Sequence, residues 1–149
     1  MINHTFKEHT FFYSSLGNSI LFDITVLSQI EDLIISNSIR EIVFVLADDN
    51  RMISDALANQ DFSVISGLEN FYHQIRQKKV RTEDSWQSPK TRPLILSFYL
   101  NEKIKELKEG LRDLFSDSIR ISGKIYYRQK NIFKDIYLDL ISFEKLSLN

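Results

Sequence analysis

The stretch Glu41-Ile-Val-Phe-Val-Leu-Ala-Asp-Asp-Asn50 decides how this chain reads. Five consecutive apolar residues, Ile42 to Leu46, halt at two carboxylates, and a short helical pattern follows. A brief β-branched and aromatic run that ends in polar residues is a buried strand entering a loop. In open α/β sheets ligands sit in the crevice outside the carboxyl ends of the strands. Asp48, Asp49, Asn50 and Arg51 are therefore the candidate ligand-binding loop.

Working outward, Asn37 and Ser38 break the segment before this strand. Upstream of them Leu27, Ile30 and Ile34 recur at helical spacing, with Glu31 and Asp32 on the other side and Asp23 in place to cap the helix, which runs to about Ser36. Before that helix, Ser15-Leu-Gly-Asn18 is a turn by composition and Thr10 to Ser14 is a short aromatic run with strand character. Downstream of the loop, Met52, Ile53, Ala56 and Leu57 make a second, shorter amphipathic helix. A third spans roughly Gly67 to Lys78, with Leu68, Phe71, Tyr72 and Ile75 as its stripe, and His73 reads there as a packed or surface residue. Strand, helix, strand, helix is the alternation of a parallel sheet flanked by helices.

Between Arg76 and Arg92 lie six basic residues, Trp86 and, near the end, Pro89; Pro93 follows. This reads either as an anion- or nucleic-acid-contacting loop or as a solvated connection whose Trp86 packs back onto the body. The second reading is simpler, because base-stacking sites pair basic charge with several aromatics. Pro93 opens the longest helix, Leu94 to about Phe115, with Leu96, Leu100, Ile104, Leu107, Leu111 and Leu114 inward and Glu102, Lys103, Lys105 and Glu106 among its wet residues. Ile119 to Tyr127 alternates as a strand. Ile132 to Ile141 continues either as a strand or, with Ile132, Ile136 and Leu140 four apart and Asn131 as a cap, as a helix.

Composition narrows the chemistry. The 149 residues fit one α/β domain, with residues 1–9 a loose terminus in which His4 and His9 fall on different faces. Nineteen basic residues against twenty acidic ones give no overall electrostatic footprint for nucleic acid. There is no cysteine, so thiolate nucleophiles, thiolate metal sites and disulfides are excluded together. No apolar run approaches the length of a membrane span and the N-terminus lacks the apolar core of a signal peptide, so the expected setting is cytoplasmic. The four glycines stand apart at 17, 67, 110 and 123, so no phosphate-cradling loop or nucleophile elbow is present. Asp48, Asp49 and Asp55 suit a hard cation such as Mg²⁺; the same residues suit capping the next helix.

The paired acids after an apolar strand resemble the opening of response-regulator receiver domains, but Pro89 to Asn101, where the phosphoacceptor would fall, holds no Asp. A second resemblance spans about residues 10–135. Ser15-Leu-Gly-Asn18 and the capped helix after it resemble the Arg-Asn-Ala-Gly-Asn turn and helix of β-class carbonic anhydrases. Ile42 to Leu46 followed by Ala47-Asp48-Asp49-Asn50 is similar to that family's strand ending in Gly-His-Ser-Asp-Cys-Gly. The long helix from Leu94 and Ile119-Arg-Ile-Ser-Gly-Lys-Ile-Tyr126 resemble its helix and closing Leu-Lys-Val-His-Gly-Trp-Xaa-Tyr strand.

What the resemblance implies is an α/β fold with a mostly parallel β-sheet flanked by helices, truncated at the N-terminus. The family's zinc-ligand His falls on Leu46 and its second zinc Cys on Asp49, while its intervening Asp matches Asp48 and its loop Gly is replaced by Asn50. The first zinc Cys and the Cys-Xaa-Asp-Xaa-Arg motif lie on a strand before the turn, where this chain has only about ten residues. Thr10 to Ser14, or a second subunit, would have to complete the sheet.

The expectation is a non-catalytic binding protein without zinc, metal or cofactor. It would form a homodimer, with a protein partner as a further option, and have no membrane or nucleic-acid role. Ser15, Asn18, Asp48, Asp49, Asn50 and Arg51 are the candidate binding loop. The alternative is a small enzyme or ligand-binding protein that uses Asp48, Asp49, Asn50 and Arg51, with Mg²⁺.

Overall fold

The computed structural model describes residues 11–58, 61–81, 91–111 and 118–137. Four helices and three strands lie within them: α1 (Ile24–Asn37), β1 (Glu41–Ala47), α2 (Arg51–Leu57), α3 (Glu69–Arg81), α4 (Thr91–Gly110), β2 (Arg120–Tyr127) and β3 (Ile132–Asp135). His4, His9 and Trp86 fall outside the described residues, as do Pro89 and Lys90 of the basic stretch.

The sheet has the order β1-β2-β3. β1 and β2 pair in parallel from Glu41 opposite Arg120 to Ala47 opposite Tyr126. β2 and β3 are antiparallel, with Tyr127 opposite Ile132 and Lys124 opposite Asp135. The sheet is thus mixed, where a mostly parallel one is expected from the alternation of elements. Only a tight turn, Arg128–Lys130 with Asn131 left-handed at φ 50°, separates β2 from β3. A parallel return would need a crossover of a dozen residues or more. The same pairing resolves Ile132–Asp135 as strand, because ladder bonds to β2 outweigh a four-residue apolar step; residues 138–141 of that run lie outside the described residues.

Phe11 to Ser14 is not a strand. Phe11, Phe12 and Tyr13 are 53%, 54% and 74% exposed. Strand propensity takes effect only where a neighbouring backbone and a face to pack on are present, and here neither is engaged.

α1 begins at Asp23, whose carboxylate accepts from the Val26 amide at 2.9 Å. It ends where Ser38 turns left-handed and the Ile39 amide reaches back to the Ile34 carbonyl at 3.0 Å. α4 starts at Thr91, so Pro93 sits within the first turn, where its missing N–H has no helical partner to lose. Ile42, Phe44 and Leu46 of β1 and Ile121 and Ile125 of β2 turn toward one layer of helices. There Leu96, Leu100 and Ile104 of α4 meet Ile53, Ala56 and Leu57 of α2 and Phe71, Tyr72 and Ile75 of α3. Leu27, Ile30 and Ile34 of α1 pack on Leu107 and Leu111.

α4 is buried over a wider arc than a leucine stripe predicts. Ile95, Ser97 and Tyr99 are also inside, and Lys103, expected on the wet face, is 3% exposed. Its ammonium donates to Glu106 at 2.7 Å and to the Ile20 carbonyl at 3.2 Å, and stands over the rings of Phe22 and Tyr99. These bonds satisfy a charge that burial would otherwise penalise, and they hold the segment entering α1 against α4.

Asp55, on α2, ties down the α2–α3 connection: its carboxylate accepts from the Asp61 amide at 2.9 Å, the Phe62 amide at 3.1 Å and the Tyr72 hydroxyl. Desolvation pushes the Asp55 carboxyl up, but these three donors outweigh it and hold it below its ordinary value. Desolvation and the Asp55 hydrogen bond together raise the Tyr72 hydroxyl.

Two outcomes follow. A depressed carboxyl stabilises the fold above its unfolded-state value near 3.8 and loses that contribution as pH falls through its folded value. Urea titrations of Asp55→Asn should therefore show a clear loss at neutral pH that shrinks toward zero below pH ~3. Gly17 has φ +60°, and a Cβ there would lie 2.9 Å from the buried Phe71 ring. Gly17→Ala should cost about 1–3 kcal/mol in the same titration.

Candidate functional site

The carboxyl end of β1 is built from three neighbours: the turn Leu16–Asn18, the first turn of α2 and the turn between β2 and β3. Gly17 and Asn18 are both left-handed, at φ 60° and 58°. That bend lets the Asn18 side-chain Nδ2 donate to the Val45 carbonyl at 2.9 Å, and the Tyr99 hydroxyl donates to the Asn18 backbone carbonyl at 3.0 Å. Asn18 thus seals part of the outer edge of β1. Ser15 precedes the turn, partly buried, and makes no side-chain cap.

Asn50, not either aspartate, caps α2: its side-chain oxygen accepts from the Ile53 amide at 3.1 Å. The expectation that Asp48, Asp49 and Asp55 cap the helix is corrected here. Asp48 accepts from the Arg128 amide at 3.3 Å, and Asp49 pairs with the Arg128 guanidinium at 3.0 Å. Both acids turn across the sheet end to the β2–β3 turn, away from the helix amides. The Asp48 amide also extends the ladder by donating to the Tyr126 carbonyl at 3.0 Å. Arg51 opens α2 and is exposed.

Two cations at this end carry no local sequence signal. Arg128 stands in a turn after β2 and reaches the acids only because β2 lies beside β1. Arg92, on the first turn of α4, donates to the Ser54 hydroxyl at 2.5 Å and to the Asn50 carbonyl at 3.5 Å. A spacing-based search misses both, since their partners are about 40 and 80 positions away.

Most of the arrangement is paired, but the buried Arg92 Nε has no hydrogen-bond partner among the described residues. Leu46, at the foot of the loop, is 3% exposed and part of the core. Among the described residues no group of three or more His, Asp or Glu could hold a metal ion. A cavity of about 420 Å³ lies at the opposite end of β1 and β2, lined by Arg40, Glu41, Ser118, Ile119 and Arg120. No described helix is long and apolar enough to cross a membrane.

Asn50→Ala should lower stability by about 1 kcal/mol, read from chemical denaturation. A double-mutant cycle over Asp49→Asn and Arg128→Gln should give a coupling below ~1 kcal/mol that fades with added salt, since the two side chains are 53% and 65% exposed.

No family model matches the chain, and no curated protein does. Solved structures do. Two mutants of the β-carbonic anhydrase CafD of the filamentous fungus Aspergillus fumigatus align with a TM-score of 0.67 at 19% identity. The match covers 85% and 84% of this chain and 73% of each of those chains. At that identity the likeness is one of fold. This chain has a β-carbonic-anhydrase-like α/β fold in a sequence without cysteine.

Proposed function

We propose that the protein is a non-catalytic relative in shape of the β-carbonic anhydrases, acting by binding and by associating with itself. The carrying observation is the fate of the loop acids. Asp49, which falls where that family has a zinc cysteine, is ion-paired to Arg128. Leu46, which falls where it has a zinc histidine, is core. Hydration of CO₂ on zinc needs three protein ligands and an open fourth position. A buried leucine offers no donor, and the guanidinium already supplies the positive charge beside the carboxylate. The donor set does not fit zinc.

The acidic loop also has no call for Mg²⁺ as folded, because both carboxylates are engaged from the β2–β3 turn. Self-association is supported by apolar surface: Phe11, Phe12, Tyr13, Leu16 and Ile24 are all more than half exposed. Exposed apolar surface of this kind favours association.

Melting curves with Zn²⁺ and with Mg²⁺ should be flat, and purified protein should accelerate CO₂ hydration no more than buffer does. A rise of several degrees with Mg²⁺ that Asp49→Asn abolishes would overturn this reading in favour of a metal-dependent enzyme or ligand-binding site. Sedimentation should find a dimer, and a strict monomer would remove the self-association.

A further inference from the structure

β1 has the sequence of an interior strand and the position of an edge strand. Ile42-Val-Phe-Val-Leu46 is apolar toward both faces, as strands buried within a sheet are. Natural edge strands are protected by lysine, proline, bulges or inward charges, and this run has none. Among the described residues β1 has one strand neighbour, β2, and Ile42 through Val45 remain partly exposed.

The free edge can be traced group by group. The Arg40 carbonyl and the Asp48 amide both bond toward β2. By the alternation of a parallel ladder, Glu41, Val43 and Val45 then turn their backbone groups outward. The Asn18 side-chain Nδ2 already donates to the Val45 carbonyl. Among the described residues both groups of Glu41 and Val43 and the Val45 N–H are left for a short strand.

The same chain carries such a strand out of place. Phe11-Phe-Tyr-Ser14 has high strand propensity, is four residues long, and lies just before the turn that binds the edge. Its three aromatic side chains are more than half exposed. We infer that Phe11–Ser14 of a second copy of this chain adds as a strand along the outer edge of β1, and that the exchange is reciprocal. The inference rests on the self-association reading above and names its surface. Two copies satisfy both unmet surfaces at once, and a reciprocal two-fold exchange is a closed association. Alternate aromatics would cover Phe44 on one face and Val43 and Val45 on the other.

The absence of cysteine makes the test clean. Phe12→Cys and Val43→Cys are made in separate chains, and the two purified proteins are mixed and oxidised. Adjacent strands bring Cβ atoms within disulfide reach, so a covalent heterodimer is expected. In sedimentation, Phe12→Asp and Val43→Pro should each weaken the dimer at least about tenfold. Val43→Pro removes an outward N–H and leaves the ladder to β2 intact. Phe12 is exposed, so its variant keeps the fold if Val43→Pro does not.

A wild-type monomer would overturn both this inference and the self-association. A dimer that survives Phe12→Asp and gives no cross-link would overturn the exchange alone and send the contact to another face. A disulfide formed only within one chain carrying both cysteines would show that the segment fills its own edge, and would also overturn the exchange.

Discussion

The parallel pairing of β1 with β2 is the constraint on which the rest of this molecule depends. Seven rungs, from Glu41 opposite Arg120 to Ala47 opposite Tyr126, join segments separated by three helices. Parallel neighbours require such a crossover, and its helices must cover the sheet they return to. Everything near the loop follows. Leu46 and Ile125 meet under α4, and the turn after β2 arrives beside the acids after β1. Arg128 therefore comes within reach of Asp48 and Asp49 through the register of two strands.

That placement changes what the strand-end acids mean. Two carboxylates at the mouth of a parallel sheet are the usual beginning of an active site. Here each is spent on one residue of the neighbouring turn, and the helix dipole they were expected to serve is capped by Asn50. Arg92 braces the same loop from α4 through Ser54 and the Asn50 carbonyl. This end of the sheet joins β1 and α2 to the β2–β3 turn and to α4. The likeness to CafD is one of fold, and a fold positions a site without supplying its donors.

Burial of polar side chains shows a second kind of long-range decision. Lys103 falls one residue before Ile104 on an otherwise regular wet face, yet its ammonium is enclosed by Glu106, the Ile20 carbonyl and two rings. Tyr99 reaches the Asn18 carbonyl from the same helix. Together they lock the chain before α1 onto α4 and so set the turn that covers the end of β1. Tyr99 and Tyr72 have their hydroxyls pushed up, chiefly by desolvation. They remain hydrogen-bond donors throughout the physiological range.

By itself the sequence determined the elements and the limits of chemistry. The apolar run ending at Leu46 placed β1, and the spacings of Leu27, Ile30 and Ile34, and of Leu96, Leu100, Ile104 and Leu107, placed two helices and their inward faces. The lack of cysteine removed a thiolate zinc site. These properties are local or compositional, and periodicity reports them directly. Tertiary structure alone decided that Asp48 and Asp49 go to Arg128, that Lys103 is buried, that Ile132–Asp135 is a strand, and that among the described residues β1 lies at an edge with Phe11 to Ser14 outside the sheet. The physical reason is common to all four. Each depends on which distant backbone becomes a neighbour, and a residue's own surroundings in the chain carry no record of that.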